Sequence, residues 1–335
     1  MPQSLPTAAT LSNWLRRSGA LPRGDVAHVQ IDLEHKTTIS KLVFVTAAYT
    51  PDAPTDLPRN LVVKTPLTQT SDTSEIQFYR EVAPLLPAPP LVRSLATVAD
   101  EGTIVLEDLR ATHDHSPWPI PPTTKQSELA IDALAQVHSK CWESPALGNT
   151  IGKLHTVQTL TSMVHGIAAH LPAFMDAFGA SLTTNDRAVY ERVFSSSLKP
   201  WLRLTAPRAL TIIHGDAHTW NFLFPRSGAG PAYLIDWQLW HIDVGARDLA
   251  FFIALHWNSN RRRELELPLL RRYHEALAVA DYTFADLWLD YCRGVVRNLT
   301  IPIIFWSRGM KPEAWWHRLE CALAAYDDLA CDELL

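Results

Sequence analysis

The hydrophobic pattern of the chain changes type near residue 110, and this change constrains the fold more than any single motif. Before it, the segments "HVQIDL", "KLVFVTAAY" and "NLVVKTP" are rich in β-branched residues and separated by turn-forming stretches, which is typical of strands. After it, apolar residues recur at helical spacing, as in "KQSELAIDALAQVHSKCW". The pattern predicts an α+β chain in which a small antiparallel sheet precedes a mainly helical part.

Three ranges follow from this pattern. Residues 1–24 are predicted to be a short helical extension. Residues 25–110 are predicted to form the antiparallel sheet, with one helix over 73–86 after its third strand. Residues 111–335 are predicted to form the helical part, which carries one hairpin over 211–236.

Composition excludes several classes of protein. Hydrophobic residues make up 47% and charged residues 19% of the chain, which is ordinary for a globular protein. The net charge is −5 and long Lys/Arg blocks are missing, so we expect no nucleic-acid partner. No run of about 18 apolar residues is present, so we expect no membrane segment. The four cysteines form no C-x-x-C pair and no secretion signal is visible, which favours a cytoplasmic protein of undetermined oligomeric state.

Polar residues converge at one end of the hairpin. If "NFLF" and "YLID" are its strands, Asn221 precedes the first strand and Asp236 follows the second, so both lie at the same end. Asp216 lies five residues before Asn221, in the loop that enters that end. Amide and carboxylate oxygens suit Mg²⁺, and a further carboxylate can orient or deprotonate an attacking hydroxyl. This arrangement predicts phosphoryl transfer with ATP and Mg²⁺ as cofactors.

At these residues the chain resembles the aminoglycoside phosphotransferase and choline kinase superfamily. "HGDAHTWN" is similar to its H-G-D-x-x-x-x-N catalytic loop, and "LIDWQ" to its metal-binding segment. Upstream, "LVVKTP" resembles the lysine strand, "EIQFYREVAP" the helix beside it and "IVLEDL" the hinge. The residues in the segments "IDWQ", "EIQFYREVAP" and "LEDL" most resemble those of the ecdysteroid-kinase-like branch. The resemblance implies a bilobal protein-kinase-like fold, with a small antiparallel-sheet N-lobe and a larger, mainly helical C-lobe.

The resemblance also implies a role for each matched residue. Asp216 is the catalytic base, and Asn221 and Asp236 are the metal ligands. Lys64 contacts the α- and β-phosphates of ATP and is steadied by a glutamate. For that glutamate we favour Glu75, which borders the apolar face of its helix, over Glu81, which points away from it.

Nucleotide binding is expected at two further places. Glu107, Asp108 and Leu109 lie in the hinge-like segment, where backbone groups would bind adenine. The stretch that would cover the phosphates, "IDLEHKTTISKLVF", contains no glycine. Thr37, Thr38 and Ser40 are therefore expected to bind the phosphates with their hydroxyl or backbone groups.

Three residues are expected to support the site rather than react. The resemblance implies that His214 holds the loop by hydrogen bonds. His218 is interpreted as a hydrogen-bonded loop histidine that can touch substrate. Asp248 is expected to anchor the next helix and to steady the catalytic loop.

Two other readings of the site remain open. In a metal hydrolase, His214, Asp216 and His218 would be zinc ligands together with His113 and His115. The rest of the sequence matches no zinc pattern, and His113 and His115 are expected at the surface of a Pro-rich loop. In a catalytically silent nucleotide-binding module the same residues would bind without turnover, and only the glycine-free loop favours that reading.

The small-molecule acceptor is the least determined part of the prediction. The part of the chain after residue 200 is rich in tryptophan, with Trp237, Trp240, Trp257, Trp306, Trp315 and Trp316. If some of these line the pocket, the acceptor is a partly apolar or ring-containing alcohol. An aminoglycoside or macrolide is the first alternative, although acidic residues cluster only at the C-terminal end, at Asp327, Asp328, Asp332 and Glu333. A choline-like amino alcohol, bound through aromatic contacts, is the second.

Overall fold

A computed structural model describes residues 5–37, 39–67, 74–86, 88–117, 119–195 and 198–335. The chain forms two compact units, Met1–His115 with Leu223–Leu239 and Ser116–Phe222 with Trp240–Leu335. The first unit is therefore built from two separate stretches of sequence.

The first unit contains the predicted antiparallel sheet. Its strands are β1 (Val26–Lys36), β2 (Ser40–Tyr49), β3 (Asn60–Pro66), β4 (Ser94–Val98) and β5 (Thr103–Glu107). They pair antiparallel in the order β1-β2-β3-β5-β4. Lys64 on β3 lies between Leu42 of β2 and Ile104 of β5, so the predicted lysine occupies the central strand.

The N-terminal helix belongs to this unit. Helix α1 (Ala8–Arg17) begins with a capping box between Thr7 and Thr10. Leu11 of α1 lies in the same apolar core as Val45 of the sheet. The range 1–24, predicted as a separate extension, is thus part of the first unit, because the apolar face of α1 is buried against the strands.

The helical segment predicted over 73–86 is irregular. It consists of α2 (Ser74–Gln77), a π-helical turn (Phe78–Val82) and a 3₁₀ turn (Ala83–Leu85). Regular α-helical hydrogen bonding therefore covers only its first part among the described residues. Single π turns of this kind are frequent next to functional sites.

The predicted hairpin is present, with an additional strand beside it. Strands β6 (His113–Asp114), β8 (Phe222–Pro225) and β9 (Tyr233–Leu234) form a sheet in the order β6-β8-β9. This pairing places 223–239 in the first unit, whereas the predicted ranges placed it in the helical part.

The same pairing corrects the prediction for the Pro-rich loop. His113, expected at the surface, is buried, because it pairs with Pro225 and its ring packs edge-on against Tyr233 at 4.9 Å. His115 is exposed, as predicted.

The second unit is mainly helical, as predicted. Its helices are α3 (Thr124–Cys141), α4 (Val157–Ala168), α5 (Leu171–Phe178), α6 (Thr184–Ser195), α7 (Lys199–Leu202), α8 (Ala246–Leu249), α9 (Ser259–Leu277), α10 (Phe284–Asn298), α11 (Thr300–Ser307) and α12 (Trp316–Asp328). It also contains an antiparallel pair that the sequence did not predict, β7 (Leu210–Ile213) with β10 (His241–Val244). In the part of the chain that the structure describes, no helix has the length and apolar character needed to cross a membrane.

Candidate active site

Lys64, Glu75 and Asp236 form one charged cluster within the first unit. The Lys64 Nζ lies 2.6 Å from Glu75 Oε2 and 2.7 Å from Asp236 Oδ1. The side chains of Lys64 and Glu75 are 12% and 7% exposed, whereas that of Asp236 is 39% exposed. The predicted Lys64–Glu75 pair is therefore present. Glu81 instead accepts a hydrogen bond from Gln77 at an exposed position.

The charges of this cluster depend on one another. Burial lowers the pKa of Lys64, but Glu75 and Asp236 outweigh burial and hold that pKa above its usual value. Burial raises the pKa of Glu75 above its usual value, and the ion pair with Lys64 opposes this effect without cancelling it. Lys64 therefore stays protonated.

The backbone around Asp236 is held in an uncommon conformation. Asp236 has φ +66°, in the left-handed region that residues other than glycine rarely occupy. The next residue, Trp237, is buried, and its indole stacks on Phe78 with ring centres 3.9 Å apart. The backbone N–H of Trp237 also donates to Glu75. These contacts fix the segment that presents the Asp236 carboxylate.

In the second unit, Asp248 of α8 holds the loop that follows β7. Its Oδ2 accepts the His214 N–H at 2.7 Å, and its Oδ1 accepts the Gly215 N–H at 2.9 Å. His138 Nε2 on α3 lies 3.2 Å from Asp248 Oδ2, and the Tyr273 hydroxyl lies 2.8 Å from His138 Nδ1. The predicted contact between Asp248 and the loop is therefore present.

The burial of Asp248 explains why it needs so many partners. Burial raises the pKa of Asp248, but the hydrogen bonds and charges of His138 and His214 lower it more, so the net shift is downward. Asp248 is therefore an ionised carboxylate inside the protein. The sequence did not predict the role of His138, although this histidine lies in the segment "KQSELAIDALAQVHSKCW" that was predicted to be helical.

Asp216 and Asn221 are joined within the loop. Asn221 Nδ2 donates to the Asp216 backbone oxygen at 2.9 Å and lies 3.3 Å from Asp216 Oδ2. Since the amide nitrogen is used by Asp216, the Oδ1 atom of Asn221 is the one that suits a cation. The Asp216 N–H donates to His214 Nδ1 at 3.3 Å, which fits the loop-holding role predicted for His214.

His218 lies beside Asp216 and forms a group of neighbouring rings, the aromatic wall, with Trp220 and His256. Its Nε2 lies 3.6 Å from Asp216 Oδ2. Its ring centre lies 5.5 Å from Trp220 and 5.9 Å from His256. Sequence reasoning missed both ring partners. Trp220 could have been found because it lies inside the "HGDAHTWN" motif, whereas the position of His256 has no local sequence signal.

The family follows from comparison with known proteins. Residues 54–288, more than half of the chain, match the family described as "APH: Phosphotransferase enzyme family". The chain belongs to the APH phosphotransferase family. It is accordingly a small-molecule phosphotransferase, as the catalytic-loop motif predicted. A search of curated proteins found no significant match.

Solved structures of similar proteins support the fold of this phosphotransferase. The macrolide 2'-phosphotransferase of Brachybacterium faecium is 15% identical, with a TM-score of 0.58 over 95% of this chain and 97% of that one. A choline/ethanolamine kinase family protein from Mesorhizobium loti is 15% identical, with a TM-score of 0.56 over 91% and 93%. A spectinomycin phosphotransferase, solved with ADP and spectinomycin, is 13% identical, with a TM-score of 0.53 over 99% and 100%. At these identities the likeness confirms the predicted fold class.

Several polar groups of the predicted hinge segment form hydrogen bonds or ion pairs within the protein. The Asp108 N–H donates to the Asn60 carbonyl at 2.9 Å, and the Leu109 carbonyl accepts the His113 N–H at 2.8 Å. The Asp108 carboxylate binds Arg110. Glu107 ends β5. Adenine binding by Glu107, Asp108 and Leu109 stays a prediction.

Thr37 closes the turn between β1 and β2. Its Oγ1 accepts the Ser40 N–H at 3.0 Å, and its own N–H donates to the Ser40 carbonyl at 2.8 Å. The Thr37 hydroxyl is thus engaged in the turn. Thr38 lies outside the described residues. Phosphate binding by this turn stays a prediction.

The zinc-site reading finds no support in the geometry. Among the described residues, no group of three or more His, Cys, Asp or Glu side chains is arranged to hold a metal ion. His214 accepts the Asp216 N–H with Nδ1, and His113 packs in the β6-β8-β9 sheet of the other unit. Mg²⁺ binding by Asn221 and Asp236 stays a prediction.

Proposed function

We propose that this phosphotransferase uses ATP and Mg²⁺ and transfers the γ-phosphoryl group to a hydroxyl of a partly apolar or ring-containing small molecule. The observation that carries the proposal is the position of Lys64 between Glu75 and Asp236, at 2.6 and 2.7 Å. A structural ion pair needs one acid per lysine. A second, partly exposed acid in a left-handed backbone conformation supports a role in binding nucleotide and cation.

Each residue of this centre has a distinct task. Lys64 neutralises negative charge on the α- and β-phosphates, and Glu75 keeps Lys64 in place. Asn221 and Asp236 each supply an oxygen ligand for Mg²⁺. When bound, Mg²⁺ neutralises charge that develops on the phosphate oxygens.

Asp216 orients the acceptor hydroxyl and takes its proton. Its side chain is 29% exposed, so an incoming hydroxyl can reach the carboxylate. The hydrogen bond from Asn221 and the anchoring of the loop by Asp248 restrict how far Asp216 can move. Because the transition state carries its charge on oxygen, catalysis depends mainly on such positioning.

The aromatic wall beside Asp216 favours an acceptor that contains a ring. Trp220, His218 and His256 are grouped next to the carboxylate and offer flat surfaces. By contrast, Trp237, Trp257 and Trp315 are buried in the core.

The acidic residues near the C-terminal end do not favour a polycationic aminoglycoside. Asp328 pairs with Arg262 and Arg263, and Asp332 pairs with Arg192, so arginine side chains already neutralise these charges. Macrolide and choline-like acceptors remain alternatives to be tested beside the ring-containing alcohol.

The proposal also covers the branch of the superfamily, the nucleotide and the location in the cell. The segments "IDWQ" and "EIQFYREVAP" support assignment to the ecdysteroid-kinase-like branch of the superfamily. The use of adenine nucleotide is supported by the related spectinomycin phosphotransferase, which was solved with ADP. Four free, buried cysteines support a reducing, cytoplasmic location.

An ATP-consumption screen across classes of hydroxylated compounds tests the proposal. We expect acceptor-dependent formation of ADP that EDTA abolishes and that Asp216→Asn reduces to background. Nucleotide binding without ADP formation for any acceptor class would instead support the catalytically silent module. Turnover that survives EDTA would contradict the Mg²⁺ assignment.

A further inference from the structure

Arg318 of α12 carries a positive charge that no carboxylate of the described residues pairs with directly. Its Nε donates to His256 Nε2 at 3.2 Å, and its Nη1 donates to the Ala314 carbonyl at 3.2 Å. The guanidinium lies 5.0 Å from the centre of the Phe305 ring. Its remaining nitrogen, Nη2, makes no hydrogen bond with any described residue. Because Arg318 is only partly exposed, a cation that lacks an acid partner at this place calls for a ligand.

His256 fixes the direction of this guanidinium. Its Nδ1 lies 2.8 Å from the Phe251 carbonyl, which can only accept, so Nδ1 carries the proton. Nε2 then has the lone pair that accepts from Arg318. Burial lowers the pKa of His256 well below its usual value, and the neighbouring Arg318 charge lowers it further. The ring therefore stays neutral and keeps Arg318 in one orientation.

The same ring connects Arg318 with the proposed base. The His256 and His218 ring centres are 5.9 Å apart, and His218 Nε2 lies 3.6 Å from Asp216 Oδ2. Trp220 completes the group, with its ring centre 6.3 Å from His256. Burial lowers the pKa of Arg318, whereas the Asp216 carboxylate raises it, so the two charges interact. One carboxylate, one indole and one fixed guanidinium thus surround the place where an acceptor meets Asp216.

We infer that Arg318 binds an anionic group of the acceptor, so that the acceptor is a ring-containing alcohol that also carries a carboxylate-type group. The inference rests on the proposed function, because it takes Asp216 as the residue that activates the acceptor hydroxyl. A guanidinium matches the geometry of a carboxylate, and Trp220 offers the ring a flat surface. The Arg318 charge repels cationic acceptors, such as aminoglycosides and choline-like amino alcohols.

The test compares acceptors that differ only in charge. The first set contains para-hydroxymethylbenzoic acid, hydroxycyclohexanecarboxylic acid and cholic acid. The second set contains their methyl esters, and the third contains analogues in which a primary amine replaces the carboxylate. ADP formation is measured with wild type, Arg318→Met and Arg318→Lys, and with Arg308→Met as the control. Arg308 is an exposed arginine of the same region.

We expect the acids to be phosphorylated with the highest kcat/KM. Arg318→Met should lower kcat/KM for the acids roughly 10- to 100-fold, because a charged hydrogen bond to the acceptor is lost. The esters should change by less than about threefold, and Arg318→Lys should recover part of the loss. Arg308→Met should behave as wild type.

The results that would contradict the role of Arg318 differ from those that would contradict the kinase proposal. Equal loss for acids and esters in Arg318→Met would assign Arg318 to the phosphoryl group or to folding, and would overturn the inference. Better turnover of the esters or amines than of the acids would also overturn it, while leaving the kinase proposal intact. ADP formation with none of the three sets would overturn the inference, and the screen across acceptor classes would then decide on the kinase proposal separately.

Discussion

The two halves of the candidate machinery are held in place by different means. In the first unit, Lys64 is fixed by two carboxylate side chains, Glu75 and Asp236. In the second unit, the loop that carries Asp216 is fixed through its backbone, because Asp248 accepts two N–H groups from it. The first arrangement is open to solvent on one side, because Asp236 is 39% exposed. The second is sealed from solvent, and its charge serves the loop rather than a ligand.

This difference predicts how each region responds to mutation. Removing a charge from the Lys64 cluster should change nucleotide binding more than folding, since one side of the cluster is exposed. Removing the Asp248 charge should change folding first, because buried backbone donors lose their acceptor. Asp216 belongs to neither case, because it is part of the loop and we propose that it acts on the acceptor.

The largest effect is expected for Asp216→Ala. Without the base, kcat should fall by about 10³-fold or more. The temperature of unfolding should stay close to that of wild type, because the side chain is partly exposed. Turnover measured by ADP formation, together with a thermal melt, checks both parts. A rate close to that of wild type would exclude Asp216 as the base.

Asp248→Asn should destabilise the protein by about 3 kcal/mol, because an amide cannot accept two backbone N–H groups and also pair with His138. Chemical denaturation measures this difference. Asp327→Asn, at an exposed aspartate, is the matched control and should leave stability unchanged. An unchanged free energy of unfolding in Asp248→Asn would mean that the loop is held by other contacts.

The same variant gives a prediction for pH. The pKa of Asp248 is lowered from 3.8 in the folded state, so its stabilisation is complete above that value and is lost as the pH falls below it. The difference in stability between wild type and Asp248→Asn should therefore be constant above about pH 4 and shrink below it. A difference that grows on acidification would contradict the assignment of Asp248 as an ionised carboxylate.

Lys64→Met should weaken ATP binding roughly 10- to 100-fold, because the phosphates lose a charge-assisted contact. Lys125→Met is the matched control, since Lys125 lies on α3 in the second unit and pairs with one acid, Glu128, at 3.5 Å. The KM for ATP distinguishes the two variants. Similar KM values for Lys64→Met and Lys125→Met would remove Lys64 from the nucleotide site.

The smallest effect is expected from Glu75→Gln. Lys64 keeps its second partner, Asp236, so turnover should fall by no more than about tenfold. Glu81→Gln should have no effect, because Glu81 is exposed and accepts a hydrogen bond from Gln77. An equal loss in both variants would mean that the whole helical segment, rather than the ion pair, controls Lys64.

The sequence predicted those parts of the site that depend on residues close to one another in the chain. The choice of Glu75 over Glu81 followed from the face of one short helix, and the link between Asp216 and Asn221 from their separation in one loop. Neither prediction required knowledge of the tertiary fold.

Contacts between distant residues could not be predicted in the same way. Lys64 and Asp236 are 172 residues apart, and His138 and Asp248 are 110 apart. Helical or strand periodicity carries no information about such pairs, because they depend on how the elements pack. The strand at His113 was missed for a related reason, since two residues in a Pro-rich stretch form a strand only because β8 lies beside them.

The division of labour between Lys64 and Asp216 is the central claim, and one paired measurement tests it most directly. The dissociation constant of ADP and the rate of phosphoryl transfer are measured on Asp216→Ala and on Lys64→Met. We predict that Asp216→Ala binds ADP as wild type does but loses turnover, whereas Lys64→Met binds ADP at least roughly tenfold more weakly. Loss of ADP binding in Asp216→Ala, with normal binding in Lys64→Met, would contradict the account.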